Sequence, residues 1–146
     1  MQGKATIAGH PIHPMLVPFP IAFFVGALVS DIISHWGDSV FWPRMSVVLI
    51  GLGIIGALLS ALFGFIDYAT APLSDGAKKT ATTHMALNLT VVVIFAIAFY
   101  LRLGNATSGV GYVLTVLGVL ILGVSGYLGG QLVYEGGVGV KDSVGS

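Results

Sequence analysis

The 146-residue chain contains no cysteine. Disulfides, thiolate metal ligands, iron–sulfur ligation, covalent haem attachment through Cys-x-x-Cys-His and cysteine nucleophiles are thereby excluded, and redox compartment cannot be read from cysteine usage. Charge is nearly as scarce. Six basic and six acidic side chains make up 8% of the residues and leave no net charge, so there is no basic face for nucleic acid. Hydrolytic and nucleotide-binding signatures are missing as well: the chain has no Ser-His-Asp spacing, no His-Glu-x-x-His and no Gly-rich phosphate loop.

What is present is hydrocarbon. With 55% hydrophobic residues and a mean hydropathy of +0.97, the chain is too apolar for a soluble domain and reads as an integral membrane protein in contact with the lipid bilayer. A bilayer core takes about 20 apolar residues as helix. Four runs approach that length: Met15 to Ile33, Met45 to Ile66, Met85 to Leu101 and Val110 to Leu132. Backbone polar groups in lipid must be satisfied within each segment, so the expected fold class is all-α, a four-helix transmembrane bundle with both termini on the same side, filling residues 1–146 as one domain. Lys4 ahead of the first run invites a signal-peptide reading. Prolines crowd the start of that run, however, and no small-x-small cleavage site ends it, so it is read as a retained span.

The polar breaks are Ser34 to Arg44, Asp67 to Thr83 and Arg102 to Gly109, with Trp36, Trp42 and Tyr100 as interfacial anchors. Pro18 and Pro20 lack amide hydrogens and disfavour helix before them, which predicts a distorted first turn or a helix beginning near Pro20. Lys4, Lys78, Lys79 and Lys141 on one side against Arg44 and Arg102 on the other place both termini in the cytoplasm. Gly53, Ala57, Ser60 and Gly64 form a small-residue stripe on the second span, and Gly118, Ser125, Gly126, Gly129 and Gly130 on the fourth. Helix packing, within the chain or in an oligomer, is the plain reading; room for a flat cofactor is the functional alternative.

The four histidines carry most of the chemistry. His10 and His13 stand in Gly9-His10-Pro11-Ile12-His13-Pro14 at the entrance to span one. At the same end the topology delivers Asp67 leaving span two, His84 and Asn88 opening span three on one helical face, and Gln131 and Tyr134 closing span four. Capping at the water boundary explains each singly; together they suggest an interior site. At the other end Asp31 and His35, four apart, could pair to neutralise a membrane-edge carboxylate. The Asn105-Ala106-Thr107 sequon carries no weight without a secretory context.

Imidazoles from two helices can ligate haem iron without cysteine. His13 and His84 are the expected pair for haem b, with His10, Asn88 and Tyr134 as further cofactor contacts, and the expected function is electron transfer. The same His10, His13 and His84 with Asp67 could instead hold a transition metal ion, or relay protons in a transport role. A non-catalytic scaffold or assembly subunit, with no cofactor, is the alternative.

Residues 9–22, Gly64-Phe65-Ile66-Asp67, His84-Met85-Ala86-Leu87-Asn88 and residues 129–140 resemble a bacterial group of four-helix membrane domains, the domain of unknown function numbered twenty-two thirty-one. The resemblance covers residues 9 to 140. Its members are similar to stand-alone membrane proteins or to parts fused to Rieske or cytochrome c domains, which implies redox work beside respiratory or other electron-transfer proteins. The matching positions are His10, His13, Asp67, His84 and Tyr134. Many relatives carry a histidine where Gly137 stands; a bis-histidine haem through His13 and His84 does not depend on it.

Overall fold

A computed structural model describes residues 3–140; Lys141, counted above for orientation, lies outside them. Four candidate membrane spans are present among the described residues. The first is broken. Helix α1 (Ile12–Leu16) meets α2 (Pro18–Ile33) at Val17, whose dihedrals stay helical, so Pro18 begins a new helix where its missing amide costs nothing. This is the distorted first turn expected from the prolines. Ahead of it, β1 (Thr6–Ile7) and β2 (His10–Pro11) pair antiparallel around Ala8 and Gly9, both at positive φ.

Helix α3 (Phe41–Thr70) and helix α4 (Asp75–Gly104) are each 30 residues long, and α5 (Gly109–Tyr134) is 26. The polar stretch after Asp67, read from sequence as a break, is mostly the first turns of α4. Ser74 starts that helix by accepting from the amide of Ala77; helix propensity and capping continue α4 past the apolar run. His84 consequently sits well inside α4 instead of opening it. The third polar break shrinks too: Arg102, placed in a loop by its charge, lies in the last turn of α4.

Helix α2 packs chiefly on α3 and α4 on α5, with lesser contacts of α3 with α4 and α2 with α5. The two hairpins repeat one another. Pro20, Phe24, Ala27 and Asp31 are buried on α2; 71 residues on, Val91, Phe95, Ala98 and Arg102 are buried on α4. Ser46, Ile50, Gly53 and Ser60 are buried on α3; 65 residues on, Gly111, Thr115, Gly118 and Ser125 are buried on α5. Equivalent residues that touch each other lie on the pseudo-two-fold axis relating the hairpins. Phe24 and Phe95 do so at the centre, stacked with ring centroids 3.8 Å apart and planes 7° from parallel. Gly53 and Gly118 make this possible, since a Cβ on either would come within 2.5 and 2.6 Å of Phe24 and Phe95. Large apolar side chains such as Phe19, Ile55, Leu62, Val93 and Leu120 are exposed around the outside, as a lipid-facing surface requires. Trp36 and Tyr100 are exposed as well, in keeping with interfacial anchors.

Candidate functional site

Two more equivalent pairs lie on the axis, one at each end. Three helical turns from the Phe24–Phe95 stack, His13 and His84 face each other with ring centroids 6.5 Å apart and planes at 88°. The Nδ1 of His13 donates to the carbonyl of Ser60 on α3 at 2.7 Å, and the Nδ1 of His84 donates to the carbonyl of Ser125 on α5 at 2.8 Å. A carbonyl only accepts, so both neutral rings carry their proton on Nδ1 and present a lone pair at Nε2. Backbone anchoring of this kind fixes the tautomer and orientation of metal-ligating histidines. Each ring rests on a glycine: a Cβ on Gly64 would lie 2.8 Å from Nδ1 of His13, and one on Gly129 would lie 3.1 Å from Cε1 of His84. The glycines at 53, 64, 118 and 129 thus clear room for side chains of the neighbouring helix, which is the packing reading and not a slot for a flat group. Gly126 and Gly130 have open space where a Cβ would stand.

Asn88 belongs to the site. Its Nδ2 donates to both Nε2 and the carbonyl of His84, each at 3.0 Å. The other expected partners lie elsewhere. His10 is exposed on β2 and bonds the carbonyl of Ala8. Asp67 accepts from the amide of Ala5 at 3.1 Å, tying the N-terminal segment to the end of α3, where Thr70 also accepts from the amide of Lys4. Tyr134 is 90% exposed, and Gln131 reaches only Tyr127. Among the described residues no three His, Cys, Asp or Glu side chains come together to hold a metal ion. The four-ligand set of His10, His13, Asp67 and His84 is therefore not assembled, because the Pro11 and Pro14 turn points His10 away and Asp67 is spent on the N-terminal backbone.

The third axial pair is Asp31 and Arg102, two turns from the phenylalanines on the opposite side. Asp31 does not pair with His35, whose ring instead lies beside Trp36 and Tyr112. Arg102 is 1% exposed and also donates to Ser46, Thr115 and the carbonyls of Pro43 and Ala106, with the Tyr112 ring 4.8 Å from its guanidinium carbon. Every donor of a membrane-buried cation has a partner, the condition for tolerating one there. Gly111 gives the arginine stem its place, since a Cβ there would come within 2.5 Å of it. The equivalent spacings that mark these residues were available in the sequence as an internal repeat.

Two cavities lie away from the histidines. One of about 300 Å³ is bordered by Ser74, Thr80, Gln131 and Glu135 at the end of α5, and one of about 210 Å³ opens between Phe19, Phe23, Leu52 and Leu59 on the lipid side. Gly137, where relatives were expected to carry histidine, has φ of +60°, a backbone that favours glycine.

No curated protein and no solved structure matches the chain. The family described as a predicted membrane protein, DUF2231, matches residues 9–142, which takes in all four spans and both histidines on the axis. The chain belongs to that family.

Proposed function

We propose that this protein is a redox module of the bacterial inner membrane, both termini cytoplasmic, in which His13 and His84 hold a haem b for electron transfer beside respiratory proteins. The single observation that carries the reading is the pair of facing imidazoles, each anchored through Nδ1 to a backbone carbonyl. Two metal–nitrogen bonds of about 2 Å and two imidazole radii span roughly the 6.5 Å between the ring centroids. Donor chemistry and ring separation support an iron held by His13 and His84, and since neither cavity borders these residues the porphyrin would enter only as the helices part.

Bound there, the haem supplies a one-electron couple; the remaining work falls to the chain. Ser60 and Ser125 keep the Nδ1 protons in place and raise the basicity of Nε2. The stacked Phe24 and Phe95, fully buried, close the interior below the site to water, and a low dielectric tunes potential. Asn88 can leave Nε2 of His84 and still keep its bond to the His84 carbonyl.

The test is the visible spectrum of protein purified after expression with haem supplied. A Soret band lost in His13→Ala and in His84→Ala supports the proposal. A colourless, metal-free preparation points to a scaffold subunit, and bound copper, zinc or non-haem iron on elemental analysis points to a different centre.

A further inference from the structure

The site is two-fold in its framework and one-sided in its polar bonding. His13 and His84 are equivalent, as are their carbonyl acceptors Ser60 and Ser125 and their glycine rests Gly64 and Gly129. The residue four beyond each histidine is not: Asn88 follows His84, and Val17 follows His13. Asn88 closes Nε2 of His84 at 3.0 Å, whereas among the described residues no hydrogen bond falls on Nε2 of His13. The serine hydroxyls differ in the same sense. Ser125 Oγ bonds Nδ1 and the carbonyl of His84 at 3.1 and 3.3 Å, while Ser60 Oγ, in a residue 5% exposed, is buried with no partner among the described residues. An orphaned buried hydroxyl is costly unless something meets it. Both unused polar atoms belong to the His13 half.

We infer that His13 with Ser60 is the open half of the site and that Asn88 is a positioning residue latching His84. A metal-bearing group would be held by Nε2 of His13 without displacing a protein hydrogen bond, and by Nε2 of His84 only in exchange for the Asn88 bond. That exchange rests on the haem reading above; the inequality of the two imidazoles does not.

Carbethoxylation of the cofactor-free full chain by diethyl pyrocarbonate, followed residue by residue in peptide mass spectra, reads the free Nε2 lone pair directly. His13 is expected to react about tenfold faster than His84, the worth of one hydrogen bond. Asn88→Val, which copies Val17, raises the His84 rate and leaves that of His13 unchanged; Val17→Asn slows His13. In parallel, Asn88→Val tightens hemin uptake about tenfold for the same reason. Equal rates at the two histidines in the native chain overturn the inference, as does a His84 rate that Asn88→Val leaves unmoved with helicity intact. If the rates differ as expected and hemin gives no Soret band, the latch stands and the haem reading falls. If hemin binds through both histidines and the rates are equal, the latch falls and the haem reading stands.

Discussion

Arg102 and Asp31 meet on the axis of the bundle through two parallel bonds, Nη2 to Oδ1 at 2.7 Å and Nη1 to Oδ2 at 2.8 Å. The two residues occupy equivalent places in the two hairpins, so identical halves would set two like charges against each other here. Opposite charges at equivalent positions let one hairpin recognise the other and reject itself. The pair lies 18 residues from the histidines, along α1 and α2 on one side and along α4 on the other, about 27 Å of helix. That is close to the thickness of a bilayer core, so one polar layer falls near each membrane face with the phenylalanines between.

Removing one partner leaves the other buried and uncompensated. Arg102→Leu or Asp31→Ala should each destabilise the bundle by about 3–5 kcal/mol, read as a fall in the midpoint of thermal unfolding in detergent. Exchanging the charges tests the two-fold directly. Asp31→Arg with Arg102→Asp should recover little alone, because Ser46 occupies the place that Gly111 leaves open for the arginine stem. Adding Ser46→Gly and Gly111→Ser should restore most of the loss.

The glycines on the axis are expected to tolerate no side chain. Gly53→Val or Gly118→Val drives a Cβ into Phe24 or Phe95 and should cost about 1–3 kcal/mol by overpacking. Gly123→Val, at a position with nothing within 4 Å, should leave the unfolding midpoint unchanged.

A cofactor held by His13 and His84 is indifferent to the other polar residues at that end. His10→Ala, Asp67→Ala and Tyr134→Phe should leave the Soret band in position and intensity, and Asp67→Ala, which removes the acceptor of the Ala5 amide, should increase proteolysis of the N-terminal segment.

Asp38 gives a pH dependence at the opposite face. Its carboxylate accepts from the amides of Phe41 and Val40 at 2.7 and 2.8 Å, and these two bonds, Phe41 first, hold its pKa below the ordinary 3.8. Because the folded value is depressed, the stabilisation is complete above the unfolded value and is lost as pH falls through the folded one. Acid titration of the unfolding midpoint should therefore show a loss in that window that Asp38→Ala abolishes.

Composition and four apolar runs suffice for a helical membrane bundle, since lipid leaves few alternatives to helix. Boundaries were less legible. Polar side chains hide helix that extends beyond the hydrocarbon, as in residues 75–84, and Arg102 looked like a loop charge because nothing local announces a partner 71 residues away. His13, His84 and Asn88 were legible from scarcity and helical spacing. The carbonyls of Ser60 and Ser125 were not, since a backbone acceptor leaves no mark on residue type. His10, Asp67 and Tyr134 shared an end of the bundle without sharing its interior, a distinction of side-chain direction that topology does not carry.

The most direct measurement on the paired imidazoles is electron paramagnetic resonance of the oxidised, haem-loaded protein. If His13 and His84 both held one ferric iron and kept the 88° between their planes, the signal would be low-spin and highly anisotropic, and His13→Ala and His84→Ala should each abolish it. A low-spin signal that survives either substitution, or a loaded protein with none, would contradict a centre shared between the two histidines.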